Sequence, residues 1–248
     1  MNKIAIIIPS RLDALRLPNK PLVDISGIPM LAHVIQRAQM SEVLNELYVV
    51  TDSLEIANIA KANNCKYLYS KENHNTGTDR IGEALLQLSN DVDIVVNIQG
   101  DEALVCPEHI DLSAKILIDN SNFDMSMLAT RYKKSASPSD IKIAMNLSNE
   151  IIYFSRADIP YQPESLNPIF FKAYHVVSFK IEALRKFCLL EQTPIEKLES
   201  IEYMRAIENR MKIGCHVIES NAISVDTPQD LEEVRNLMRG DKIAKKYL

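Results

Sequence analysis

The sequence predicts an α/β fold, a three-layer domain on a mostly parallel sheet with a small mixed, β-rich lobe. Three observations predict it. Apolar runs of strand length alternate with helical-period stretches through the first half, the pattern of right-handed strand–helix–strand crossovers. The runs end in polar segments, where open α/β sheets bind ligands. After Ser121 the alternation stops and strand-like runs follow one another with few helices between them.

The elements follow in order. "KIAIIIP" is a continuous β-branched run closed by Pro9, the mark of a parallel strand buried on both faces. "PMLAHVIQRAQ" places Met30, Val34 and Ala38 on one helical stripe. "ELYVVTD" is a strand, and "SLEIANIAKANN" a helix with Ser53 as N-cap. "KYLYS" is a short strand, "TDRIGEALLQLS" a helix after Gly77, and "VDIVVNIQGDE" a strand with a polar tip. "PEHIDLSAKILID" opens a helix with Pro107 in its first turn. "FDMSMLATRY", "IKIAMN", "EIIYFSR" and "YHVVSFKI" are strands of the lobe. One helix is expected from about Pro194 to Arg210, then the strand "MKIGCHVIE". "TPQDLEEVRNLMR" is a terminal helix with Thr227 as N-cap and Pro228 at its first position. The expectation is a single domain over 1–248, with a core of 1–120 and 211–248 and a lobe of 121–210.

The 248 residues are 46% hydrophobic and 25% charged, an ordinary globular balance. The net charge of -5 excludes a nucleic-acid footprint, so any anion site must be a local cluster. Cys65, Cys106, Cys188 and Cys215 have neither zinc nor redox spacing and read as buried thiols of a reducing compartment. The N-terminal apolar run is too short for a signal peptide or a membrane span, so a cytoplasmic protein without membrane attachment is expected.

Four polar segments could carry chemistry, and each has two readings. "IIPSRLDALRLPNKPL" sets Arg11, Arg16 and Lys20 in a loop after the first strand. Guanidinium forks and an ammonium match phosphate oxygens, yet the same loop could be merely solvated. Neither a Walker loop nor G-x-G-x-x-G is present. Asp101 and Glu102 of "VVNIQGDEAL" end a buried strand, as ligands of a hard cation or as an exposed turn. Asp226 of "NAISVDTPQDL" is a second such acid or the residue before a capped helix. Two aspartates at neighbouring strand tips would form a divalent metal site facing the cationic loop. "HNTGTDR" would let backbone approach a flat base at Gly77, and it also starts a helix capped by Thr76 or Thr78. His33, His109 and His216 read as structural, and His175 as a satisfied core histidine within a strand or, as the lesser reading, a ligand contact. Glu196, Glu199, Glu202 and Arg205 read as a solvated, salt-bridged helix face.

Taken in order, "IIPSRLDALRLPNKPL", "HNTGTDR", "VVNIQGDE", "IIYFSRADIPY" and "ISVDTPQDLEEV" span nearly the whole chain, and the set resembles the CMP-Kdo synthetases, the 3-deoxy-manno-octulosonate cytidylyltransferases. The resemblance implies a Rossmann-like nucleotidyltransferase sheet and a Mg²⁺-dependent reaction. The anomeric hydroxyl of 3-deoxy-manno-octulosonate (Kdo) attacks the α-phosphorus of CTP and pyrophosphate leaves, for lipopolysaccharide biosynthesis. By resemblance, Arg11, Arg16 and Lys20 match the triphosphate loop, and Lys20, Asp101 and Asp226 the catalytic set. Asp101 and Asp226 match the metal ligands, while Gly77, Thr78, Arg80 and Gln99 match the nucleotide pocket. Arg156, His175 and Glu202 match the sugar-acid site of the lobe, and a homodimer is expected from the family.

The chain departs from the family pattern at Ala14 for a serine, Ala103 for a proline and Tyr203 for a glutamine. The strand usually written "HIGIYAYR" reads "AYHVVSFK". Aligned without a gap it loses the family histidine at Ala173; aligned on His175 it lacks two residues. The sugar-facing side is thus less faithful than the nucleotide-facing side. The alternatives are a cytidylyltransferase for a modified Kdo, another 2-keto sugar acid or a phosphonate, and a catalytically inactive nucleotide-binding homologue.

Overall fold

The structure, a computed structural model, describes residues 2–12, 16–70, 74, 76–133, 137–161 and 169–248. Ala14 lies outside the described residues. The chain is mixed α/β and divides into two compact units, Met1–Leu112 with Asn221–Leu248, and Ser113–Ser220. Among the described residues no helix is long and apolar enough to cross a membrane.

The first unit opens with β1 (Ile4–Pro9), whose six residues are all buried. The small strands β2 (Asp24–Ile25) and β3 (Ile28–Pro29) follow, then α1 (Met30–Ala38), β4 (Glu46–Thr51), α2 (Leu54–Ala62), β5 (Lys66–Tyr69), α3 (Gly77–Ala84) and β6 (Ile94–Ile98). β1 pairs in parallel with both β6 and β4, and β4 in parallel with β5. This is the arrangement that continuous Ile/Val runs demand, since no face is left for water. Ser53 caps α2 by accepting from the amides of Glu55 and Ile56 at 3.2 and 3.4 Å. Thr76, rather than Thr78, caps α3 through the Asp79 amide at 3.1 Å. The chain leaves this unit within α4 (Pro107–Asp119).

The second unit contains β7 (Met125–Tyr132), β8 (Lys142–Met145), β9 (Ile151–Ser155), β10 (Phe170–Lys180), α5 (Ile181–Leu189), α6 (Pro194–Glu199), α7 (Met204–Glu208) and β11 (Ile213–Ile218). β10 runs antiparallel to β7 and β8, and β8 antiparallel to β9. β11 pairs in parallel with β7, which draws Ile213–Ile218 into this unit rather than the first. The expected helix over 194–210 is broken in two. Ser200 adopts a left-handed backbone with φ 53°, and the Ile201 amide returns to the Glu196 carbonyl at 3.2 Å. α5 is a further helix, with Ala183, Leu184 and Phe187 buried. It begins directly at the end of β10, and Lys180 at its N-cap makes no side-chain cap bond.

The chain returns to the first unit with α8 (Pro228–Met238). Leu231, Val234 and Met238 pack with Ile25, Met30, Ala103, Leu104, Val225 and Ala244 in a closed apolar cluster. Burying each large member contributes roughly 1.5–3 kcal/mol. The C-terminus is tied to α1. Arg37, fully buried, reaches Asp241 at 2.6 Å and the Val105 carbonyl at 3.2 Å. His33 sits between the Ile25 carbonyl and the Tyr247 hydroxyl, each at 2.7 Å. Cys65 and Cys215 are buried as expected, whereas Cys106 and Cys188 are only half-buried. His216 is exposed on β11.

Burial holds the His33 imidazole below its ordinary value of 6.5. The folded state therefore disfavours its charged form, and stability falls as pH drops through about 6.5. A His33→Asn variant should be less stable throughout but lose less between about pH 7 and pH 5 than the parent. Urea unfolding at the two pH values measures this, and parallel losses would contradict it.

Candidate active site

A cavity of about 370 Å³ lies in the first unit, lined by residues from the ends of β1, β6 and α3 and from the segment before α8. β1 delivers Pro9, Ser10 and Arg11, and the following loop adds Arg16, Leu17 and Lys20. β6 delivers Gln99, Gly100 and Asp101. The start of α3 contributes Thr76, Gly77 and Arg80, and Asp226 arrives from the far end of the sequence.

The acids and cations converge. The Lys20 ammonium donates to Asp101 Oδ2 at 2.5 Å and to Asp226 Oδ1 at 3.2 Å. Arg16 Nη2 lies 3.0 Å from the same Asp226 oxygen. Burial lowers the Lys20 pKa, but Asp101 and Asp226 outweigh that cost and leave it above the ordinary lysine value. Two carboxylates brought this close repel each other, so the site is built for a cation between them. Hard carboxylate oxygens suit a divalent cation that keeps some of its waters. Among the described residues no group of three or more His, Cys, Asp or Glu gathers as a closed metal cage.

Local structure explains the convergence. Asp226 does not end a strand; its segment is irregular and runs directly into Thr227, the N-cap of α8. The Asp230 carboxylate accepts from the amides of Thr227 at 2.7 Å and of Asp226 at 3.1 Å. Asp226 is therefore the residue before a capped helix, and the cap orients its acid. The Val225 amide donates to the Asp101 carbonyl at 3.1 Å, locking the two acid-bearing segments side by side. Val225 and Ala103, both fully buried in the apolar cluster, fasten each segment from beneath. Glu102 is also buried and accepts from the Ser224 hydroxyl. Burial first, then the neighbouring Asp101, push its carboxyl up to about 8.

The other expected nucleotide residues divide. Gly77, Arg80 and Gln99 line the cavity. A Cβ on Gly77 would come within 3.2 Å of Gln99 Oε1, so the lack of a side chain there shapes the wall. Arg80 is buried and holds Asp52 at 3.0 Å, an acid at the end of β4 that the sequence pointed to only as part of a polar tip. Thr78 is placed differently: its side chain is fully buried, accepts from Asn97 at 3.2 Å and is not among the residues that line the cavity. His74 is an addition. It lines the cavity, with Nε2 at 2.8 Å from Glu83. Arg11 lines the cavity and is exposed.

The three sugar-acid candidates lie in the second unit. Arg156 follows β9, and its side chain donates to the backbone carbonyls of Pro138 at 2.7 Å and of Glu199 and Ser200 at 3.0 Å. A guanidinium has five N–H groups, so two remain for a ligand. Glu202 lies half-buried in the turn between α6 and α7. His175 and Val176 form a bulge, two residues of β10 inserted where the partner strand steps from Leu128 to Met127. The glutamate face expected to be solvated is largely not. Glu196 and Arg205 are a buried pair with Nη2–Oε1 at 2.6 Å, and Glu199 accepts from Ser155 and the Arg156 amide at 2.9 Å.

Comparison with known proteins points to one family. A cytidylyltransferase family model matches residues 5–213. The chain is 38% identical to 3-deoxy-manno-octulosonate cytidylyltransferase of Francisella tularensis subsp. tularensis (strain SCHU S4 / Schu 4), covering 96% of this chain and 99% of that protein. It is 36% identical to the protein of the same name from Syntrophus aciditrophicus (strain SB), covering 97% and 99%. A solved structure of CMP:2-keto-3-deoxy-manno-octonic acid synthetase complexed with CTP superposes with a TM-score of 0.90 at 30% identity, covering 96% of this chain and 99% of that one.

Gly100 offers a check on the site's construction. A Cβ there would stand 3.2 Å from the Pro9 carbonyl oxygen and 3.3 Å from Ser10 Oγ. Gly100→Ala should cost about 1–3 kcal/mol in urea unfolding, because the Pro9 backbone at the end of a paired strand has little room to yield. An unchanged midpoint would contradict this packing.

Proposed function

The chain belongs to the 3-deoxy-manno-octulosonate cytidylyltransferase family, and on that premise we propose that it transfers the cytidylyl group of CTP to Kdo. The products are CMP-Kdo and pyrophosphate, the cofactor is Mg²⁺, and the product serves lipopolysaccharide biosynthesis. The observation that carries the reading is the meeting of Asp101, Asp226 and Lys20 in one cavity beside Arg11 and Arg16.

The acceptor hydroxyl oxygen forms a bond to the α-phosphorus, the bond to the pyrophosphate oxygen breaks, and the hydroxyl proton is lost. Catalysis of this kind is mostly positioning and charge stabilisation. Arg11 and Arg16 offer guanidinium forks to the triphosphate, and Lys20 a point charge. Asp101 and Asp226 would hold Mg²⁺, which supplies charge neutralisation at the phosphates when bound. With the carboxylates so engaged, the Lys20 ammonium is available to phosphate. Gly77 and Gln99 give the base a flat wall, and Arg80, braced by Asp52, fixes that end of the cavity. Arg156, His175 and Glu202 are assigned to the sugar acid, the carboxylate falling to the remaining guanidinium N–H groups.

The free cysteines are consistent with a cytoplasmic enzyme. A homodimer is supported by the family resemblance. The bulge at His175 favours a second reading of the acceptor alone, in which a modified Kdo, another 2-keto sugar acid or a phosphonate takes its place.

Pyrophosphate release with CTP, Mg²⁺ and a panel of sugar acids tests the proposal. The highest kcat/KM is expected with Kdo, and no release with any Kdo-like acid would overturn the substrate assignment. Asp101→Asn should nearly abolish turnover while leaving the fold intact by circular dichroism; near-normal activity would remove Asp101 from the site. Arg156→Ala should weaken the sugar acid far more than CTP, by roughly 1.5–3 kcal/mol for a charged hydrogen bond. Equal losses for both substrates in steady-state kinetics would contradict that role.

A further inference from the structure

Lys142 opens β8 and is fully buried, an uncommon place for a lysine. Its ammonium donates to the backbone carbonyls of Ser137 at 2.6 Å, Asp140 at 3.0 Å and Arg156 at 2.5 Å. Those three bonds use all of its N–H groups. Asp158 Oδ1 stands 3.6 Å away, and the Tyr132 ring centroid 5.5 Å away. A buried cation satisfied chiefly by carbonyls is costly to desolvate. A packed apolar residue would serve the strand at lower cost. What the lysine provides is a junction between two segments, 137–140 and 156–158.

The junction is reciprocal. Lys142 holds the Arg156 backbone, while the Arg156 guanidinium returns to Pro138 in the other segment and to Glu199 and Ser200 at the end of α6. Glu199 in turn accepts from the Arg156 amide at 2.9 Å. The Lys172–Asp140 pair at 2.7 Å braces the 137–140 segment from the strand beside it. Backbone and side chain of Arg156 are thus fixed from opposite directions, leaving two N–H groups with a set aim.

We propose that Lys142 is a positioning residue for the acceptor carboxylate: its buried ammonium fixes the backbone of Arg156 and, through segment 137–140, the direction of the free guanidinium edge. The proposal rests on the assignment of Arg156 to the sugar acid. Misplacement of a recognition group by a fraction of an ångström to an ångström weakens the substrate it holds and leaves the other substrate untouched.

The test is steady-state kinetics of Lys142→Met, Lys142→Gln and Arg156→Ala, each first checked by thermal melting. In Lys142→Met the KM for the sugar acid should rise on the order of tenfold with the KM for CTP within about twofold. Lys142→Gln, which keeps a donor for the carbonyls, should fall between it and the parent. If Arg156→Ala leaves the sugar-acid KM unchanged, the assignment of Arg156 is wrong and the positioning role goes with it. If Arg156→Ala raises that KM while both Lys142 variants fold and do not, the assignment stands and the positioning role is overturned. Equal effects on both substrates, or failure of both Lys142 variants to fold, would give Lys142 a purely structural role and also overturn the proposal.

Discussion

One electrostatic constraint shapes the cavity of the first unit: two aspartates 125 positions apart in sequence, Asp101 and Asp226, share one cation. Lys20 supplies it from the first loop, reaching Asp101 after β6 and Asp226 before α8. Charges of this kind at about 4 Å interact by roughly 4 kcal/mol near a protein surface. Uncompensated repulsion of that size would spread the two acid segments. The backbone bond from Val225 to Asp101, the Thr227–Asp230 cap and the apolar cluster under both segments all act to prevent that spread. Cations and acids thus stand together in one cavity.

The second unit solves a different problem by a similar means. Its inward-turned cations are met by backbone carbonyls and by carboxylates. Lys142 and Arg156 gather carbonyls, and Arg205 pairs with Glu196 while its guanidinium stacks 4.7 Å from the Phe187 ring centroid. The left-handed Ser200 makes this possible, because it ends α6 where Glu199 can reach Ser155 and the Arg156 amide. Tyr203 packs among Phe154, Phe179 and Phe187 at centroid distances of 6.2 to 6.4 Å, so it is part of an aromatic core.

Much of this was legible in the sequence where one physical signal dominates. β1 and β6 announce themselves as unbroken Ile/Val runs, and Thr227-Pro228 with Asp230 spells a capped helix start. Arg16, Lys20, Asp101 and Asp226 carry charges in polar tips, so their types pointed to their chemistry before their meeting was known. Signals failed where tertiary context decides. Ser200 is an unremarkable residue in a helical pattern, and only long-range bonds to Glu199 and Glu196 explain a break there. α5 lacked a start signal because it follows β10 directly, and Lys180 at its N-cap position makes no side-chain cap bond. The direction of Thr78 was not legible because a threonine in a polar motif says nothing about which way it faces; its hydroxyl turns inward to Asn97. Lys142 was invisible as a junction, since a lone lysine at a strand start reads as surface until the carbonyls around it are seen.

The central claim is that CTP occupies the cavity of the first unit, with its triphosphate between the cationic loop and the two aspartates. Amide hydrogen exchange of the intact protein, with and without CTP and Mg²⁺, tests it most directly. The account predicts slowed exchange in residues 16–22, 76–80 and 99–102 on adding both. Exchange unchanged in those segments, or slowed only within Ser113–Ser220, would contradict it.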